Sequence, residues 1–285
     1  MIYDIQGNTL ISAFDIEGDE LNRAYDTDGD IVFQRDFDIK VMSYNVGQWY
    51  IGNSNPVPAS KDEAYYNLQN GMIQRADADI LCICEYLDAF SKSGRTALSL
   101  LEQYYPYIET REGSSGYMGR AICSKYPITN FVHHAFNNGG RYYDSCTVTI
   151  NQIPVTVIVT HLEYASDDSG RIAQLNELIS YLLTLDKFIC CGDYNMLDCK
   201  STSGADYQTM MLPLLNAGFH CANCTDFGFL ETYSDQPTGT YTGCLDNIIT
   251  SSNITITDAY VDETKLNDGI SDKTDHMPLI AELQI

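Results

Sequence analysis

The sequence predicts an α/β (α+β) fold with helices packed outside two central β-sheets. Two observations carry the prediction. Short apolar, β-rich runs recur from residue 39 to the C-terminus, and between them lie longer stretches whose apolar residues fall three and four apart.

Residues 39–44 form the first such run and lead into Asn45. Helical spacing follows at 59–76, and the run 80–84 then leads into Glu85. A second helix is expected over 95–104. A hairpin around Asn151-Gln152 joins the runs 146–150 and 155–160, the second of which leads into His161. Helical spacing returns at 170–185 and 205–217, on either side of Lys187-Phe188-Ile189-Cys190-Cys191. The last runs are Leu245-Asp246-Asn247-Ile248-Ile249 and Leu279-Ile280-Ala281, the latter preceded by Thr274-Asp275-His276-Met277-Pro278.

The run ending at Cys191 stops at Gly192-Asp193-Tyr194-Asn195. Residues two apart in an extended segment point to the same side, so Asp193 and Asn195 would project together beyond the strand end. One carboxylate and one amide suit a water, a metal or a phosphate oxygen, although Gly-Asp-x-Asn is also an ordinary turn. The other strand ends decide between these readings. Asn45, Glu85, His161, Asp246, Asp275 and His276 all stand at or beside apolar runs, and such a series is hard to ascribe to chance.

Ordered this way, the motifs resemble those of the DNase I-like endonuclease/exonuclease/phosphatase superfamily. The most specific pieces are Ser43-Tyr44-Asn45-Val46, Thr160-His161-Leu162, Gly192-Asp193-Tyr194-Asn195 and Asp275-His276-Met277-Pro278. The segment from Gly119 through Arg120 to Pro127-Ile128 supports them, as do Arg171 and Gln174. The resemblance implies a four-layered sandwich of two mixed sheets flanked by helices, with an active site at one end of the sheet pair. It also implies hydrolysis of phosphate esters. Glu85 would bind the metal, with Asn45 and Asp275 completing or supporting the site, and such oxygen ligands suit Mg²⁺ or Mn²⁺. His276, paired with Asp246, would be the acid–base group or the clamp on the phosphate, and His161 a second catalytic imidazole. Asp193 would orient or deprotonate the attacking water, Asn195 would hold a phosphate oxygen, and Arg120 and Arg171 would contact substrate.

The chain departs from the family pattern at several positions. Cys84 stands where Gln is common before the metal-binding Glu, Arg120 where Asn is usual, and Thr274 where Ser precedes Asp-His. Gly119-Arg120 supplies no carboxylate partner for His161. Of the remaining histidines, His133 and His134 alternate across a surface strand, and His220 belongs to a partly buried loop. Trp49 and Tyr50, just after Asn45, suit either a cleft wall or the core.

The formal net charge is −23, which disfavours duplex DNA unless divalent metal and a local basic rim compensate. Arg95, Arg111, Arg120, Arg141 and Arg171 are the candidates for that rim. No window approaches the length of a membrane span, and the N-terminus lacks the basic start and apolar core of a signal peptide. Ten cysteines, several within apolar runs, read as free thiols, and Cys221-x-x-Cys224 lacks the second pair of a zinc site. A reducing, cytoplasmic compartment is therefore expected.

Residues 1–36 hold a repeat that the family pattern does not explain. Tyr3-Asp4, Phe14-Asp15 and Tyr25-Asp26 recur with a period of eleven, each followed by Gly with Asn or Asp. Short strands with tight turns are expected, as a β-rich appendage to a catalytic domain over 37–285. It would attach the enzyme to a protein assembly or mediate oligomerisation. Asp26-Thr27-Asp28-Gly29-Asp30 lacks the downstream Glu of a calcium loop. The leading functional expectation is a metal-dependent phosphodiesterase, foremost a nuclease acting on DNA or RNA. A phosphoinositide, a sphingolipid or a small phosphate ester is the rival substrate, and a catalytically silent binding module the rival class.

Overall fold

A computed structural model describes residues 38–47, 62–88, 96–112, 119–164, 168–234, 242–264 and 275–285, together with the backbone of four short N-terminal strands. Those strands pair antiparallel as two ribbons, β1 (Ala13–Phe14) with β2 (Glu20–Leu21) and β3 (Arg23–Tyr25) with β4 (Ile31–Gln34). The repeat's turns, Trp49, Tyr50, Arg95 and Thr274 lie outside the described residues.

From residue 38 the chain forms β5 (Asp38–Asn45), α1 (Asp62–Ala76), β6 (Ile80–Cys84), α2 (Ala97–Leu101), β7 (Tyr107–Arg111) and β8 (Arg120–Ser124). Next come β9 (Ile128–Ala135), β10 (Tyr142–Ile150), β11 (Ile153–His161), α3 (Asp168–Leu182) and β12 (Phe188–Asp193). A π-helical turn, Tyr207–Met211, opens α4 (Leu212–Asn216), and β13 (His220–Cys221), β14 (Tyr233–Ser234) and β15 (Thr242–Gly243) follow. The chain closes with β16 (Asp246–Thr250), β17 (Thr255–Val261) and β18 (Leu279–Gln284).

Two six-stranded sheets result, ordered β17-β18-β5-β6-β8-β7 and β13-β16-β12-β11-β10-β9. Both are mixed: β5 runs parallel to β6 and β11 to β12, while the other pairs are antiparallel. Strand alternation builds the layers. Val41, Ile80, Cys82, Val157, Ile189, Cys191 and Leu279 share the core between the sheets. Met42, Leu81 and Ile83 face the other way, under Met72 and Ile73 of α1 and Leu100 of α2. Ile158, Cys190 and Ile249 lie under Leu175 and Leu178 of α3 and Leu214 of α4. The expected α/β (α+β) four-layered sandwich is thus the observed one. All ten cysteines are free and buried, most of them within these cores.

The expected hairpin forms, with Asn151 and Gln152 both at positive φ (46° and 70°), the backbone that a two-residue turn between twisted strands demands. The second helix is shorter than its spacing predicts. Thr96 caps it by accepting the Ser99 amide at 3.1 Å, so the helix starts after the cap. The helix expected over 205–217 starts in α geometry at 205–206, widens into the π-turn at Tyr207–Met211 and returns to α at Leu212–Asn216, beside Pro213, which has no N–H to donate. Among the described residues no helix is long and apolar enough to cross a membrane.

Candidate active site

Register brings the strand ends together. Asn45 pairs with Cys84 at one end of the first sheet, and His161 with Asp193 and Asp193 with Asp246 at the same end of the second. Gly192 permits this closeness, because a Cβ there would sit 2.0 Å from the Thr160 carbonyl of the neighbouring strand. Asp193 is the centre of the site. Its Oδ2 accepts from Asn45 Nδ2 at 3.0 Å and lies 3.5 Å from His161 Nε2 and 3.6 Å from His276 Nε2. Its Oδ1 accepts the Asn195 amide at 2.8 Å. Asn195, at φ +54°, turns its own Nδ2 to the Leu162 carbonyl at 3.0 Å, leaving the second N–H of that amide for another acceptor.

His276 is buried and held by Asp246, whose Oδ2 lies 2.7 Å from His276 Nδ1. Burial alone would lower the imidazole pKa. Asp246 and Asp193 outweigh it and raise the pKa well above the usual histidine value. The Asp246 backbone is fixed in turn by Thr232, whose Oγ1 accepts its amide at 3.0 Å. Tyr233 sets its ring edge against His276, with centroids 5.4 Å apart. Asp275 precedes His276 at the rim, where its carbonyl accepts the Ser234 amide at 2.8 Å.

Glu85 leaves β6 with φ +55° and accepts from Asn45 Nδ2 at 3.3 Å. Burial pushes its carboxyl up to about 7, partly countered by His276. Burial likewise raises Asp193 above the ordinary carboxylate range, with His276 opposing and Asp246 adding to the shift. Several acids crowded into one dry site are a donor set that a cation would complete. Ligand atoms of Asp193, Asp246 and His276 all fall within 4.8 Å of one another, and Asp246 Oδ1 is buried without a hydrogen-bond partner. An oxygen-rich set of this kind fits a hard divalent cation.

On its other side His161 meets an arginine. Arg141 Nη1 lies 3.4 Å from both ring nitrogens, and Arg141 Nε lies 3.6 Å from Glu163 Oε1. Sequence reasoning offered Arg141 only as one of five arginines, and Glu163, Thr232 and Tyr233 escaped it. The contacts of these residues depend on loops that no local pattern places.

Two expected substrate contacts need correction. Arg171 is buried, with Nη2 2.8 Å from Asp168 and 2.7 Å from Asp206, so it ties α3 to the segment before the π-turn and is not presented to the cleft. Arg120 is also buried, between the sheets with its guanidinium 6.0 Å over the Tyr142 ring, where it cannot meet substrate directly. His133, expected on a surface strand, has its Nδ1 2.7 Å from the wholly buried Asp144.

Residues 53–276 match the model of the Endonuclease/Exonuclease/phosphatase family. None of the curated proteins matches the sequence. Among solved structures, D. rerio TDP2 complexed with a single-strand DNA product is similar at 14% identity and TM-score 0.66, over 86% of this chain and 98% of that one. Staphylococcus aureus beta toxin aligns at 21% identity and TM-score 0.62, over 85% of this chain and 99% of that one. ANGEL2, a 2′,3′-cyclic phosphatase in complex with adenosine-2′,3′-vanadate, aligns at 15% identity and TM-score 0.63, over 93% and 99%. At these identities the likeness is one of fold.

Proposed function

The chain belongs to the endonuclease/exonuclease/phosphatase family, and on that premise we propose that it is an Mg²⁺- or Mn²⁺-dependent phosphodiesterase that cleaves nucleic acid. One observation carries the reading: a single buried carboxylate, Asp193, lies within 3.6 Å of two imidazoles and an amide, with one imidazole locked by Asp246. That D. rerio TDP2 was solved with a single-strand DNA product supports the choice of substrate.

In this reading Glu85 and Asn45, with Asp275 beside them, would hold the cation at the edge of the Asp193–Asp246–His276 cluster, whose own groups are kept for proton chemistry, and a bound cation would neutralise charge on the phosphate. The chain's own groups do the rest. Asp193 accepts the proton of the attacking water, and its raised pKa makes it a better base than an exposed aspartate. Asn45 fixes Asp193 Oδ2 for that task. His276, kept protonated by Asp246, donates to a non-bridging phosphate oxygen and stabilises the charge that develops there. Asn195 offers its second amide N–H to the phosphate, and His161 donates from Nε2 towards Asp193 Oδ2, 3.5 Å away, and so helps to orient that carboxylate. Residues 37–285 are assigned to this catalytic domain, and residues 1–36 to an appendage that attaches it to a partner or a second copy.

The test is nicking of supercoiled plasmid and of single-stranded circles with Mg²⁺ or Mn²⁺, against EDTA and His276→Ala controls. Metal-dependent cleavage lost in the variant supports the reading. No cleavage of either substrate, with turnover of a lipid or small phosphate ester, overturns the choice of nucleic acid.

A further inference from the structure

The acidic centre occupies only half of the sandwich end. The same register row continues away from it: Cys84, adjacent to Glu85, pairs with Arg120, and Arg120 pairs with Arg111 on the edge strand β7. In the facing sheet Thr160 pairs with Tyr143, which brings Tyr142 and Arg141 alongside His161, and Asp144 pairs with His133 one strand further out. The row therefore changes sign along its length. Asp246, Asp193, Glu85 and Asp275 stand at one side, and Arg141, Arg120, Arg111 and His133 at the other. This is a basic cluster in a chain of formal net charge −23, so its position is informative.

The local acids do not fully neutralise the cluster. Asp144 is wholly buried and its Oδ1 is taken by His133 at 2.7 Å, so Arg111 Nε reaches the same oxygen only at 3.5 Å. Glu163 meets Arg141 Nε at 3.6 Å, and Glu112, next to Arg111, turns to the Asp88 amide at 2.7 Å. Among the described residues Arg111 meets no carboxylate other than Asp144, and its side chain is 43% exposed at the rim. Arg120, buried behind it, adds charge without reaching solvent. Neighbouring strands lie about 4.8 Å apart, so Arg111 on β7 stands roughly 10 Å from the end of β6, where Glu85 begins. A neighbouring phosphate of an extended strand can reach that far.

We propose that Arg111 and Arg141 form a second anion subsite, which holds a non-scissile phosphate of a single-stranded polynucleotide while the scissile phosphate sits at Asp193 and His276. The inference rests on the nucleic-acid reading above and sharpens it. A substrate with one phosphate group would leave the basic half of the row unused, whereas a polyanion fills both halves. A positive groove that tracks the backbone beside the chemistry is how single strands are gripped without base readout.

The experiment compares wild type, Arg111→Gln and Arg111→Lys on a single-stranded oligonucleotide and on bis(p-nitrophenyl) phosphate, at several salt concentrations. The subsite predicts that Arg111→Gln raises KM for the oligonucleotide on the order of tenfold with little change in kcat, and that most of this rise is missing on the small ester. The slope of log affinity against log salt should fall by about 0.7, the value for one phosphate contact on a single strand. Arg111→Lys should restore most of the affinity, which a purely structural defect would not allow. Equal effects on both substrates, or an unchanged salt slope, overturn the subsite while leaving the nuclease reading intact. A wild-type protein that cleaves the small ester but no oligonucleotide overturns both.

Discussion

Replacing Asp246 with asparagine isolates the contribution of charge to the His276 pair. The two side chains are isosteric, and the amide oxygen of the variant can still accept from His276 Nδ1 at the site of the present 2.7 Å contact. The carboxylate's negative charge is what disappears. Two unit charges about 4 Å apart, at an effective dielectric constant of about 20, attract by about 4 kcal/mol. With a neutral hydrogen bond retained, a loss of about 3 kcal/mol is expected, which is on the order of a hundredfold in kcat. Burial already works against the charged imidazole, and only Asp193 and, more weakly, Asp275 would then oppose it, so the His276 pKa should drop. Two assays test this. Single-turnover cleavage between pH 5 and 9 gives the rate, and imidazole NMR titration of the metal-free protein gives the pKa. A kcat within threefold of wild type, or a His276 titration that does not move, would refute the assigned role of the pair.

Glu85→Gln should raise the Mg²⁺ or Mn²⁺ concentration for half-maximal activity at least about tenfold with a similar melting temperature, as read from metal titrations of rate and of thermal unfolding. The metal-free protein should lose stability as pH rises from 5 to 8. Glu85, pushed up to about 7, and Asp193, raised in the same direction, favour folding only while protonated, so their contribution is present below the unfolded carboxylate pKa and is lost as pH passes through the folded values. Mg²⁺ should then raise the melting temperature more at pH 8 than at pH 5.5, and equal shifts would contradict the burial argument. Arg171→Met should destabilise the fold by about 3 kcal/mol in urea titrations, because Asp206 loses its buried partner. A raised KM with unchanged stability would instead return Arg171 to the substrate. Removing residues 1–36 should leave cleavage rates unchanged while altering size in solution or partner binding.

The candidate site was legible because its residues end buried strands. Runs such as Ile80–Cys84 and Phe188–Asp193 are buried on both faces, so their continuous apolar character marks them in sequence, and the first polar residues beyond them stand out. The pairing of His276 with Asp246 followed from the family resemblance, and the 2.7 Å contact gives it geometry. What stayed hidden depends on register. Nothing local to Arg141 says that it will lie against His161, since that requires β10 and β11 to pair as they do. The same holds for Arg171, whose place at the head of α3 resembles a substrate-facing position until Asp206 is found 2.7 Å away. His133 looked like a surface residue because alternation along β9 could not reveal the buried Asp144 on the neighbouring strand.

The most direct test of the central claim is cleavage of a single-stranded oligonucleotide by wild-type and Asp193→Asn proteins over a Mn²⁺ titration, with thermal melts confirming that both are folded. The account predicts saturable, metal-dependent cleavage by the wild type and a loss of about a thousandfold or more in the variant. Cleavage that persists in EDTA, or that Asp193→Asn retains, would contradict it.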